Sequence, residues 1–250
     1  FLTADGLTLF FSTSRASGQG SVDLCLSRRA SIDEPFQPVE ILPRVVNSFA
    51  ADDSPCLSTD GRQLVFVSNR PDSEGDFDLY LIRRADLGSK WSSPENLNVP
   101  VNSKDREDSP AFSHDGLTLF FTSNRPDGHG ANDIWSVHRD SLDAPFGAPE
   151  NLGPIVNSNH DETHFRPTSD GRSAILSRRE PNGKTSLWLA LRKTTTGPFT
   201  SLRPLPLNTE AEVTMIAPGI TQDGRTLYFH SQQPGGEGDA DLWLIRRLPR

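Results

Sequence analysis

Four carboxylates recur at a fixed place in this chain: Asp52, Glu107, Glu162 and Glu212. They follow Asn47, Asn102, Asn157 and Asn208 by five, five, five and four residues. Carboxylates converging in one cleft can pass protons to a substrate, hold a cation, or accept hydrogen bonds from sugar hydroxyls or a basic peptide. The same recurrence suits a structural task, in which each acid accepts hydrogen bonds from its own loop. The fourth copy is richer and reads Asn159-His160-Asp161-Glu162-Thr163-His164-Phe165-Arg166. On an extended strand His160, Glu162 and His164 share one side, because side chains alternate with period two. Two imidazoles and a carboxylate are a donor set for a divalent metal. Arg166 follows closely, and His230 is a candidate neighbour. The candidate ligand-binding residues are therefore Asp52, Glu107, His160, Glu162, His164, Arg166 and Glu212. The candidate metal ligands are His160, Glu162 and His164, and the candidate acid–base residues are Glu162 and Glu212. No cofactor is required by any motif; a divalent metal is the one the histidines admit.

Two other patterns carry charge. Arg15, Arg70 and Arg125 stand before Asp23, Asp78 and Asp133, and in the next copy both members change together, to Glu180 and Ser186. That joint change predicts an ion pair across each hairpin, although Gln233 with Asp241 departs from it. The run Asp72-Ser73-Glu74-Gly75-Asp76-Phe77-Asp78 alternates carboxylates around a glycine. Calcium takes such oxygens, but the spacing is not that of an EF-hand loop, and a solvated hairpin tip accounts for it. The sequence has no nucleophile elbow, phosphate-binding P-loop or His-Glu-x-x-His motif.

These residues must be positioned by a repeat. Asp-Gly pairs fall at Asp5, Asp60, Asp115, Asp170 and Asp223, at spacings of 55, 55, 55 and 53 residues. Such a period signals stacked supersecondary units. In the copy opening at Asn102, strands are predicted near Asp108–Ser113, over Leu117–Ser123 and Asp133–Arg139, and near Pro149–Leu152. No segment sustains a helical period. Aromatics recur at Phe36, Trp91, Phe146 and Phe199, leucines at Leu42, Leu97, Leu152 and Leu205, and arginines at Arg29, Arg84, Arg139, Arg192 and Arg247. The aromatics and leucines are read as inter-blade core. Four short antiparallel strands per unit, repeated radially, make the blade of a β-propeller. The expected fold is all-β, a single five-bladed β-propeller over 1–250 with four-stranded blades at about 1–46, 47–101, 102–156, 157–207 and 208–250. The last blade lacks its outer strand. A segment of about 20 residues before Phe1 is expected to complete the first blade and edge the fifth; a fragment of a six-bladed ring fits the same count.

Composition narrows the partners. Lys plus Arg is 25 and Asp plus Glu is 33, a net charge of −8. Nucleic acid, whose binding needs clustered cations, is disfavoured. No apolar run approaches the ~20 residues that span a bilayer. Cys25 and Cys56 are read as unpaired, buried small side chains.

Ser113 to Trp135 and Ser58 to Tyr80 carry a shared pattern: Ser-x-Asp-Gly-x-x-Leu-x-Phe or its variant, Ser-Asn-Arg-Pro, and a glycine-containing loop before an Asp-aromatic strand. This pattern resembles the WD-like propeller repeat of the TolB type, and the resemblance covers essentially the whole chain. It implies a periplasmic or extracellular envelope protein that binds partners. Related repeats occur in propeller domains attached to peptidases and in oligogalacturonate lyases, which use a metal held partly by histidines. The expected function is a non-catalytic propeller binding a glycan or a peptide at the channel mouth. The alternatives are a carbohydrate-active lyase or hydrolase around Glu162 and His164, or a structural module of a larger protein. Oligomeric state is not encoded in any of these patterns.

Overall fold

In a computed structural model the protein is all-β, a five-bladed β-propeller built of antiparallel sheets. The structure describes residues 1–14, 18–205, 207, 214–221, 224–232, 235 and 241–246. Among these there is no helix, and none therefore is long and apolar enough to cross a membrane.

The first sheet is β1 (Thr8–Thr13), β2 (Asp23–Arg28) and β3 (Glu40–Ile41), with Leu2 bridging Leu9 just before the Asp5-Gly6 turn. The second is β4 (Asp52–Leu57), β5 (Gln63–Ser68), β6 (Asp78–Arg83) and β7 (Glu95–Asn96). The third is β8 (Glu107–Phe112), β9 (Thr118–Ser123), β10 (Asp133–His138) and β11 (Glu150–Asn151), so each predicted strand of that copy is present, the first shifted by one residue and the others shorter by one or two. The fourth is β12 (Asp161–Pro167), β13 (Ser173–Arg179), β14 (Thr185–Arg192) and β15 (Phe199–Pro204). Among the described residues the fifth has three strands, β16 (Met215–Ile220), β17 (Thr226–Ser231) and β18 (Asp241–Arg246).

The chain divides into two compact units, residues 1–119 with 137–149 and residues 120–136 with 150–250. In the first unit, Phe10, Leu24, Leu26, Leu42, Val46, Leu64, Phe66 and Tyr80 form a core between the first two sheets. In the second, Phe120, Ile134, Phe165, Leu176 and Phe199 form one core, and Ile175, Leu187, Met215, Leu227 and Phe229 another. Both free cysteines are buried, as small apolar side chains would be.

The Asp-Gly turns are self-contained devices. Gly6, Gly61, Gly116, Gly171 and Gly224 have φ between +64° and +71°, where a β-carbon would clash. One carboxylate oxygen of Asp5 accepts from the Thr3 hydroxyl at 2.6 Å and the Leu7 amide at 2.9 Å. Asp60, Asp115 and Asp170 repeat this with Ser58, Ser113 and Thr168.

The arginines that end the third strands brace the same turns. Arg29, Arg84, Arg139 and Arg192 donate through Nε to the carbonyls of Gly6, Gly61, Gly116 and Gly171. Their guanidinium groups lie 4.7, 4.3, 4.5 and 4.8 Å from the ring centres of Phe36, Trp91, Phe146 and Phe199. The reading of the aromatics as inter-blade core holds for Phe199, which lies in a core, and for Trp91, which packs against one, but not for Phe36 and Phe146. Only Phe199 is buried, while Phe36, Trp91 and Phe146 remain partly open under a cation, and such stacking tolerates solvent.

Candidate functional site

The recurrent carboxylates open the inner strands, at the end of each sheet opposite the Asp-Gly turns. Ahead of them stands an asparagine that works as a backbone mimic. The side-chain amide of Asn47 accepts from Leu24 N at 2.9 Å and donates to Leu24 O at 3.0 Å. Asn102 does the same with Leu79 and Asn157 with Ile134. All three asparagines are buried. Each therefore locks the start of one repeat onto the third strand of the previous one.

The next residue is a serine, and it closes onto the acid. Asp52 Oδ2 accepts from Ser48 N at 2.6 Å and Ser48 Oγ at 2.9 Å. Glu107 accepts from Ser103 N and Oγ at 2.9 and 2.7 Å, and Glu162 from Ser158 N and Oγ at 2.8 and 2.6 Å. The backbone amides of Asp52, Glu107 and Glu162 each donate at 2.9 Å to Val22, Phe77 and Asn132 of the preceding repeat. All three acids are fully buried.

Burial of a carboxylate demands a cation or a full set of donors. Arg70 supplies the cation to Asp52, at 2.6 Å, while donating to the Val46 carbonyl and stacking 4.7 Å over Tyr80. Arg178 supplies it to Glu162, at 2.7 Å, while donating to the Val156 carbonyl and stacking 4.5 Å over Trp188. Arg125 stacks over Phe121 and Trp135 with Nε on Ser123 Oγ.

The expected hairpin pair of Arg70 with Asp78 is therefore corrected, since Arg70 serves Asp52. Asp78 instead accepts from the amides of Glu74 and Gly75 and from the Asn96 side chain. Asp23 and Asp133 likewise take loop amides. In the fourth copy the residues that changed together do meet: Ser186 Oγ donates to Glu180 at 2.9 Å. Arg15 and Gln233 lie outside the described residues.

The glycines of the hairpin loops have a steric reason. A β-carbon on Gly20, Gly75 or Gly130 would stand 1.9, 1.9 or 2.0 Å from the carbonyl oxygen of Ala50, Asp105 or His160. The acidic hairpin of Asp72 to Asp78 thus packs its backbone against the next connection, with Asp78 turned inward to cap it.

The fourth inner strand departs from its expected geometry. His164 has φ +53°, and the register of β12 shifts between Thr163 and Arg166. This bulge breaks the alternation that was to align His160, Glu162 and His164. His164 Nδ1 lies 2.9 Å from Thr163 Oγ1, and the His160 amide donates to Ser158 Oγ. Among the described residues no three His, Cys, Asp or Glu side chains form a metal-holding group. Arg166 donates to the Phe165 carbonyl at 3.4 Å, and His230 is exposed on β17 opposite Ile216.

The same bulge recurs at Ser54, Ser109 and Ala217, with φ of 52°, 51° and 51°. Aligned on it, Asp52 sits opposite Ser68, Glu162 opposite Arg178, and Met215 opposite Ser231. Met215, not Glu212, therefore occupies the carboxylate position of the fifth inner strand, and it is buried in apolar core. Glu212 itself lies outside the described residues. Anchoring the count on the prolines Pro55, Pro110 and Pro218 would have found this, since each lies three residues after Asp52, Glu107 and Met215.

Counting also missed the groups this end leaves open. Phe49, between Ser48 and Asp52, is 87% exposed, and Val45 in the same connection and Val99 in the next one are exposed too. Arg106 lies 4.2 Å over the Phe77 ring and bonds Asp108 at 2.6 Å. Ser12 donates to Asp53, and Ser54 to Asp108 at 3.2 Å, giving the inner strands of the first unit a polar lining.

No protein-family model matches the chain, and no curated protein matches its sequence. Solved structures do share its fold. A TolB from Acinetobacter baumannii superposes with a TM-score of 0.62 at 14% identity over 97% of this chain and 51% of its own. An α-L-arabinofuranosidase from Podospora anserina, crystallised with cellotriose, gives 0.61 at 11% identity, over 96% and 86%. A periplasmic gluconolactonase from Pseudomonas aeruginosa gives 0.52 at 20% identity, over 92% and 63%. The chain spans about half the length of the TolB structure. At these identities the likeness is one of fold.

Proposed function

We propose that this chain is a non-catalytic, TolB-like binding propeller of the cell envelope that takes a glycan or a peptide at the end of the blades where the inner strands begin. The observation that carries this reading is the contrast at that end. The carboxylates suited to acid–base chemistry are enclosed, with Asp52 and Glu162 each held by a serine and an arginine. The aromatic Phe49, in the same connection as Asp52, stands open. A proton-transfer group must come within about 3 Å of the atom it serves, whereas a binding platform needs only an accessible ring face. Aromatic faces receive both sugar rings and peptide side chains. The envelope assignment is supported by the TolB and periplasmic gluconolactonase likenesses.

The test is a glycan and peptide array probed with the purified protein and with Phe49→Ala. Selective capture that the variant loses, while its melting temperature stays put, supports the reading. Capture unchanged in Phe49→Ala moves the site elsewhere. Turnover of a captured glycan, abolished by Glu162→Gln in a folded variant, would replace binding with catalysis. A stoichiometric metal lost in His164→Ala, in protein purified without an affinity tag or chelator, would point the same way.

A further inference from the structure

We infer that the ligand at Phe49 is an acidic peptide, one that sets an apolar side chain beside a carboxylate. The inference rests on the binding reading above and narrows it from glycan or peptide to one class.

The surface is apolar and held ready. Phe49 stands in the connection between β3 and β4, with Val45 43% exposed four residues before it. The amides of Val46 and Asn47 both donate to the Pro43 carbonyl, closing the turn that carries Arg44 and Val45. Arg70 donates to the Val46 carbonyl. On the far side of Phe49, Ala50 N donates to Ser48 Oγ at 3.1 Å and Ala51 N to Asn69 Oδ1 at 2.9 Å. A side chain presented on a fixed backbone adds little ordering cost when it binds. The fold does not require the ring, since Lys104 and Asn159 replace Phe49 in the next two repeats.

The polar groups favour a peptide over a sugar. A sugar ring stacked on an aromatic also needs placed hydrogen-bonding groups to fix its orientation. Within residues 43–50 the polar side chains besides Arg44 are Asn47 and Ser48. Asn47 is engaged by Leu24 and Leu42, and Ser48 by Asp52. An apolar peptide side chain meets Phe49 and Val45 by contact alone.

Charge selects its neighbour. This connection, 42–51, and the hairpin loop before it, 14–22, contain two cations, Arg15 and Arg44, and no carboxylate. The equivalent segments of the next repeat, 97–106 and 69–77, carry Asp72, Glu74, Asp76 and Asp105. In a chain of net charge −8 an acid-free, cationic stretch beside an open aromatic is a local departure. Arg44 is exposed. The carboxylates nearest to it in the chain are already engaged: Glu40 by Arg28, Asp52 by Ser48 and Arg70, and Asp53 by Ser12 and the Ser54 amide. An open cation at the edge of an apolar surface favours a partner of opposite charge.

The probe is a library of random seven-residue peptides displayed on phage, selected on the 250-residue chain and counter-selected on Phe49→Ala. Clones that need Phe49 are expected to carry Asp or Glu beside Leu, Ile, Phe or Trp. A synthetic copy of the leading clone, followed by fluorescence anisotropy, should bind about two- to fivefold more weakly once its acid is changed to lysine, the size of an exposed ion pair. Arg44→Glu, on an exposed turn, should keep the parent melting temperature and reverse that order. Phe49-dependent clones that are neutral or basic would overturn the inference and leave the binding reading standing. So would a glycan captured through Phe49 when no peptide is. An order of affinity that Arg44→Glu leaves unchanged would overturn it as well. If neither peptide nor glycan depends on Phe49, the reading itself falls, and the inference with it.

Discussion

The second and fourth blades solve one problem in two ways. Each buries a carboxylate at the head of its inner strand, Asp52 or Glu162, and each holds it with a serine. In the second blade the cation is Arg70, two residues beyond Ser68, the residue opposite Asp52. In the fourth it is Arg178, directly opposite Glu162. A shift of two residues keeps a strand side chain on the same face. The position vacated, Glu180, then bonds Ser186 and Trp188. What persists is the closed set of carboxylate, serine and arginine stacked on an aromatic ring. Its persistence through a change of residue identity marks it as framework.

The largest expected effects come from breaking that set on one side. Arg70→Ala and Arg178→Ala each strand a buried carboxylate, and each should lower unfolding free energy by about 3–5 kcal/mol in urea titrations. A marked inequality between the two would show that the blades are not equivalent. Next come Asn47→Ala and Asn157→Ala, which leave the buried amide of Leu24 or Ile134 without its acceptor, while the carbonyls keep the Leu42 and Leu152 amides. Each should cost about 1–3 kcal/mol, with similar values in the two blades. Transplanting the second arrangement into the fourth blade, as Arg178→Ser with Glu180→Arg, should recover most of the stability that Arg178→Ser alone loses. Failure to recover would mean that Trp188 and Ser186 admit only the native placement.

The smallest effect lies at the opposite ends of the blades. The Thr3 hydroxyl and the Leu7 amide hold Asp5 below the ordinary value of 3.8, and the Thr168 hydroxyl and Arg172 amide do the same for Asp170. The folded values lie beneath the unfolded ones, so this stabilisation is complete above about pH 4 and fades as the pH falls through the lowered values. Asp5→Asn should flatten the acid limb of a stability–pH curve slightly, through a small loss of stability at pH 7 that disappears as the pH falls below the lowered value.

The fold was legible because its signals are local. Each Asp-Gly pair requires a positive φ at the glycine, and each strand is short and bounded, so five copies of one period disclosed the blades. The site was only half legible. The recurrence of Asp52, Glu107 and Glu162 was visible, and so was the alternative that each acid bonds its own loop. The partner of Arg70 was not visible, because two carboxylates, Asp52 and Asp78, lie within reach of a sequence argument and only packing chooses between them. The joint change at Glu180 and Ser186 reported a true contact yet suggested the wrong pairing for its relatives. His164 misled because a bulge reverses the side on which later residues fall, and a non-glycine residue at φ +53° leaves no mark in composition.

The most direct test of the central claim is a double-mutant cycle on Glu162→Gln and Arg178→Met, read as unfolding free energy. If the pair is framework, the cycle should give a coupling of about 1–3 kcal/mol. A coupling indistinguishable from zero, with both single variants as stable as the parent, would contradict the account and return Glu162 to the list of residues free to do chemistry.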